Sequence, residues 1–157
     1  MRLRILTFIF LSILLLTGCT SNASSGHSSD AKQDVTLDDV FKKRMNDEGL
    51  TLTNKDVQFD KEGYLGKKFG IQGMAELSDY YNYAFRDAEA DFFSIRVVPF
   101  DGTDSWYLYL SRSADYDDLY KKLMSDKSVP LFASAAIPRN FYEKGQGNLA
   151  MATIVYY

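Results

Sequence analysis

Cys19 and His27 are the only cysteine and the only histidine in the chain. Both precede the first helical pattern, so residues 36–157 contain neither. A Ser/His/Asp triad, a Cys/His pair and a zinc site built on His or Cys are therefore excluded from that segment by inventory. Carboxylates remain. Glu89 and Asp91, or Asp115, Asp117 and Asp118, have the side chains for hydrolysis between two acids, but they lie in a turn pattern and at a helix start, where acids serve capping and solubility. Asp101-Gly102-Thr103-Asp104 offers oxygens to a cation yet lacks the alternating acids and distant glutamate of a calcium loop. It reads as a hairpin turn. Gly63, Gly66, Gly70 and Gly73 are followed by no Gly-Lys-Ser/Thr, so no phosphate loop is encoded.

The chemistry with most content is aromatic. Tyr80, Tyr81 and Tyr83, then Trp106, Tyr107 and Tyr109, then Tyr156 and Tyr157 form three groups. Tyr and Trp combine large contact area with a polar tip and stack on sugars, bases or partner side chains. In Ser105–Ser111 (SWYLYLS), Trp106, Leu108 and Leu110 share one face of a strand, and Tyr107 and Tyr109 share the other. Trp106, Tyr107 and Tyr109 are the candidate binding residues. The competing reading makes one face core and the other a set of cross-strand pairs covered by the first helix.

The N-terminus carries a different signal. Arg2 and Arg4 precede an apolar run from Ile5 to Leu16, broken only by Thr7 and Ser12, which is the architecture of a secretion signal. A run of about a dozen residues is short for a membrane span, which takes roughly 20. Leu16-Thr17-Gly18-Cys19 follows, and with it residues 1–19 resemble bacterial lipoprotein precursors. The resemblance implies a diacylglyceryl group on the Cys19 thiol and cleavage just before it. Two acyl chains, palmitate among them, suffice for stable anchoring. The expected location is the extracytoplasmic face of the cell membrane, with the membrane as partner through lipid on Cys19.

Three segments follow: a signal peptide at 1–18, a lipidated cysteine with a flexible tether at 19–35, and a single α+β domain at 36–157. The stretch from Thr20 to Asp34 is rich in Ser, with no hydrophobic residue larger than Ala, the composition of a linker. His27 lies inside it. The net charge of −3 becomes about −5 once Arg2 and Arg4 leave. Basic residues cluster only as Lys42-Lys43-Arg44, Lys67-Lys68 and Lys121-Lys122, so no nucleic-acid partner is expected, since phosphate backbones demand a basic surface.

Within the domain, Leu37, Val40, Phe41 and Met45 recur at helical spacing after Thr36, with Gly49 placed as a left-handed cap. From Leu50 to Gly66 short strands and loops are equally expected. Phe69 to Leu77 alternate as a strand, whose glycines at 70 and 73 suggest strong coiling or a bulge. After Ser78 two readings stay open: Tyr81, Ala84, Phe85, Ala88 and Phe92 fit a helix capped by Ser78, while the alternation of Tyr81, Tyr83 and Phe85 favours the strand continuing to about Phe85 before a reversal. Phe92–Pro99 and Ser105–Ser111 read as a hairpin around Asp101-Gly102. A helix through Tyr116, Leu119, Tyr120, Leu123 and Met124, capped by Ser113 or Asp115, follows, then strands at Val129–Ile137 and Leu149–Tyr156.

This order predicts a mainly antiparallel, OB-fold-like five-stranded barrel with an N-terminal helix and a helix between strands 3 and 4. Gly66-Lys67-Lys68-Phe69-Gly70-Ile71-Gln72-Gly73 also resembles the opening strand of OB-type domains of small bacterial lipoproteins. A different α+β sheet with both helices on one face is the alternative. The functional expectation is a lipid-anchored, non-enzymatic binding module for a protein or envelope polymer, without cofactor or metal. A carboxylate-based envelope hydrolase and a structural or immunity-type surface lipoprotein are the alternatives.

Overall fold

A computed structural model of the chain describes residues 35–81 and 88–157. The signal peptide, Cys19 and nearly all of the tether lie outside them. No helix among the described residues is long and apolar enough to cross a membrane.

Five strands close into a barrel in the order β1-β2-β3-β5-β4: β1 Lys68–Ser78, β2 Phe92–Pro99, β3 Trp106–Ser111, β4 Val129–Ala136 and β5 Leu149–Tyr156. All neighbours are antiparallel except β3 and β5, whose parallel pairing completes the barrel. The helices are α1 (Leu37–Asp47), α2 (Asn54–Phe59) and, between β3 and β4, α3 (Asp117–Ser125). This is the OB-fold-like α+β barrel that the element order predicts. Closure matters physically, because a closed sheet leaves no unpaired edge.

The period-2 patterning becomes the interior. Phe69 and Ile71 from β1, Ile95 and Val97 from β2, and Trp106 and Leu108 from β3 are fully buried, and Leu119 and Leu123 of α3 join the same core. β1 serves two partners, with Lys68–Ala75 on β4 and Gly73–Ser78 on β2. To do so it must coil strongly, and Gly73 sits where both pairings overlap. The irregularity in the barrel lies elsewhere, between Ser134 and Ala135 of β4 opposite β5.

α1 starts at Thr36, whose side chain accepts from Asp39 N while the Asp39 carboxylate accepts from Thr36 N, a reciprocal cap. Gly49, with φ +62°, follows its end. The helix packs through Phe41 and Met45 on Phe132 and Tyr156 of β4 and β5. Arg44 lies over the Tyr156 ring, 3.9 Å from its centre, and Tyr156 donates to Glu48. That acceptor holds the Tyr156 phenol above its usual pKa.

Three expectations are corrected. The stretch between Leu50 and Gly66 holds a six-residue helix, α2, that apolar periodicity over so short a span does not reveal. Its local signal is the Thr53-Asn54-Lys55-Asp56 capping box. β1 ends at Ser78 instead of running on towards Phe85, because Ser78 Oγ accepts from Tyr80 N at 3.1 Å and turns the chain out of the ladder. Residues 82–87, the rest of that expected strand, lie outside the described residues. Neither Ser113 nor Asp115 caps α3. A 3₁₀ turn at Ala114–Tyr116 leads into it, with no side-chain cap.

α2 is locked to the barrel by Asn54, which is buried and donates to Thr103 Oγ1 at 2.7 Å and to Asp101 at 3.3 Å. Asp101 also accepts from Thr103 N and Oγ1, so this acidic turn is a structural staple. Removing the α2 cap gives a measurable pH signature. Thr53 bonds hold the Asp56 carboxyl below its usual pKa, so that contribution is present above about pH 4. It is lost as pH falls through the lowered value. Thr53→Ala is expected to cost about 1 kcal/mol at pH 7, with the gap to wild type narrowing in urea unfolding at pH 3.

Candidate functional site

β3 presents Trp106, Leu108 and Leu110 to the interior and Tyr107 and Tyr109 to the outside. Trp106 is fully buried with its ring 4.8 Å from that of Phe69. It is a core residue of the barrel interior with no exposed surface, and its inward face sets it apart from the other two binding candidates. Its indole N–H has no hydrogen-bond partner among the described residues.

The outer face is assembled by register. Glu76 of β1 pairs with Arg96 of β2 and Arg96 with Tyr107 of β3. One rung along, Ser78 pairs with Ser94 and Ser94 with Tyr109. Phe93 and Ile95 point inward, so Ser94 points outward. It is nonetheless fully buried.

The cover is the segment that leaves β1. Tyr80 lays its ring 4.5 Å from that of Tyr107, and the Tyr80 carbonyl accepts from Tyr109 Oη at 3.2 Å. The Tyr81 ring lies 5.8 Å from that of Tyr109, and Tyr81 Oη donates to the carbonyl of Phe92 at 3.3 Å. Tyr109, which also clusters with Leu149, Phe92, Phe141 and Met151, is fully buried, whereas Tyr107 is half-buried and Tyr80 is 43 % exposed. The competing reading of this face puts the first helix over it. That helix instead sits over β4 and β5, because Phe41 and Met45 match Phe132 and Tyr156.

Beside this segment lies a cavity of about 360 Å³ walled by Ser78, Asp79, Tyr81, Ser94, Arg112 and Tyr120, among others. Ser94 Oγ has no hydrogen-bond partner among the described residues. Arg112 closes the far side, its Nε donating to the carbonyls of Glu89 and Phe92 at 2.9 and 3.1 Å. At the other end of the face, Arg96 is paired with Glu76 at 2.9 Å and bonds Ser105 Oγ, so its charge is spent internally.

Tyr80 and Ser94 are the site residues that reading along the chain missed as members of one face. Tyr80 carried the signal of its type, but Ser94 carried none. The acids considered for hydrolysis are dispersed. Asp117 and Asp118 lie in the first turn of α3, Asp115 in the turn before it, Glu89 in a 3₁₀ turn at Ala88–Ala90 and Asp91 just before β2, all exposed. No group of three or more His, Cys, Asp or Glu among the described residues is arranged to hold a metal. A second concavity, about 290 Å³, lies between α1 and the barrel, lined in part by Leu37, Phe41, Gln72 and Phe100.

No protein-family model matches the chain, and no curated protein matches it. Among solved structures it is similar to the one described as OBody AM3L09 bound to hen egg-white lysozyme, with 13 % identity and a TM-score of 0.43, over 68 % of this chain and 92 % of that one.

Proposed function

We propose that the chain is a lipid-anchored extracytoplasmic lipoprotein whose barrel is a non-enzymatic binding module, with the outer face of β2 and β3 as its contact surface. The anchor part rests on Leu16-Thr17-Gly18-Cys19 behind an apolar signal. The observation that carries the binding part is the half-buried Tyr107, with Tyr80 stacked on it, set on a rigid strand of a closed barrel. OB-type barrels bind along the face of strands 2 and 3. An aromatic side chain held by a strand offers contact area with little rotamer freedom left to lose on binding. The internal pairing of Arg96 with Glu76 favours a partner without strong charge, so a protein segment suits this face better than a phosphate backbone.

A photo-crosslinking residue at Tyr107 in intact cells tests this reading. The expected result is one dominant crosslinked protein, absent when the crosslinker is moved to the buried position of Leu108, together with palmitate labelling of the wild type that Cys19→Ser abolishes. Absence of any specific adduct from position 107 would sink the binding half. Persistence of the label in Cys19→Ser would sink the anchor.

A further inference from the structure

We infer that Asp79–Tyr81 is a built-in stand-in for the partner: the face takes an extended protein segment bearing two adjacent aromatic side chains, and that segment must displace the chain's own. The inference rests on the proposed contact surface and names what fills it. The present occupant supplies the chemistry. It brings one ring to Tyr107, a second ring to Tyr109 and a main-chain carbonyl to the Tyr109 hydroxyl. Two adjacent aromatic residues in a peptide carry all three groups at the right spacing. A glycan carries no pair of aromatic rings to take the places of Tyr80 and Tyr81 against Tyr107 and Tyr109.

The fit of the present occupant is incomplete. Ser94 Oγ in the cavity wall has no partner among the described residues, a group that a slightly longer or differently placed segment satisfies. Tyr80 is 43 % exposed, so its ring is held on one side only. The three residues leave β1 through the Ser78–Tyr80 turn, and the barrel ladder ends at Ser78, so lifting them breaks no strand pairing. A competitor has to replace the contacts that Tyr80 and Tyr81 make with Tyr107, Tyr109 and Phe92. The apparent affinity of such a face falls by the fraction of molecules in which it is open. Loss of the Tyr80–Tyr107 stack alone accounts for up to roughly a tenfold change in that fraction.

The test uses the full chain in detergent and a blocked peptide with the sequence of residues 77–81, Leu-Ser-Asp-Tyr-Tyr. Tyr80→Ala, which loosens the self-contact at an exposed position, is expected to bind the peptide about tenfold more tightly than wild type, and adding Tyr107→Ala is expected to abolish the gain. Equal affinity in a folded Tyr80→Ala protein overturns the inference, as does equal binding of a control peptide with both tyrosines replaced by alanine. If Tyr80→Ala does not fold, wild type carrying 3-fluorotyrosine decides by ¹⁹F NMR. Joint shifts of the Tyr80 and Tyr107 signals on peptide addition support displacement, and none at saturation overturns it. Binding of a β-1,4-linked N-acetylglucosamine tetramer, with no binding of the peptide, overturns the assigned occupant. Crosslinking from position 107 separates the two readings. An adduct in wild type that is not enhanced in Tyr80→Ala leaves the contact surface standing and removes the stand-in, whereas no adduct in either removes both.

Discussion

Trp106→Ala is expected to lower the unfolding free energy by about 3 kcal/mol or more, whereas Tyr107→Ala one position along is expected to cost about 1 kcal/mol. The two residues differ in face, and face decides the magnitude. Trp106 fills the barrel interior against Phe69, so truncation leaves a cavity that a closed barrel cannot collapse around. Tyr107 loses one stacked ring and some half-exposed area. For a domain whose total stability is about 5–15 kcal/mol, the first change consumes much of the margin, and a melting shift of about 10 °C or more is expected. The indole N–H refines the prediction. It is buried without a partner, a condition that costs about 1–3 kcal/mol. Trp106→Phe keeps a ring in place and removes that group, so the lost volume and the relieved orphan offset one another. Its stability is expected within about 1 kcal/mol of wild type. Urea unfolding of the three variants checks the series, and a Trp106→Ala protein as stable as Tyr107→Ala would contradict the assignment of faces.

Gly73→Ala is expected to be destabilising by about 3 kcal/mol, at the upper end of overpacking costs, while Gly70→Ala costs less. A Cβ at Gly73 collides with the main-chain carbonyl of Val98 and lies 2.9 Å from Pro99 Cα. Those atoms belong to β2, paired with β1 at Gly73–Pro99, and backbone cannot step aside without opening the ladder. At Gly70 the added methyl meets the Met45 thioether, which can swing away, and Phe132 ring carbons at 3.2 and 3.3 Å. The strain there is transferred to α1, which contributes Met45 and packs on Phe132. Thermal unfolding followed by circular dichroism distinguishes the two, since Gly70→Ala is expected to loosen α1 first and Gly73→Ala to lower the whole transition.

The glycines illustrate what was legible. Their spacing in an alternating strand announces a close approach or strong coiling, and the close approach is what β1 makes. Which neighbour approaches was not legible, because Val98 lies 25 positions from Gly73 and is reached only through the register of β2. The same holds for the faces of β3. Alternation separates Trp106 from Tyr107 and Tyr109 without any knowledge of the fold, but not core from surface on the second face. α2 went unseen for a different reason. Six residues are too few for apolar periodicity, and what holds it is Asn54 reaching Thr103 and Asp101 in a distant turn.

The sequence by itself determined the inventory of chemistry, with no thiol or imidazole in residues 36–157, and it determined the order of the five strands, α1 and α3 in the barrel. Both are local properties, read from residue types and from the periods 2 and 3.6 that a strand and a helix impose on burial. The tertiary structure alone decided that β3 closes on β5 in parallel, that α1 covers β4 and β5, and that Tyr80 and Tyr81 close over Tyr109. These depend on contacts between residues far apart in the chain, such as the 29 positions from Tyr80 to Tyr109. No local pattern encodes which of several aromatic groups will meet, since that is settled by which pairing fills the most space once the barrel has closed.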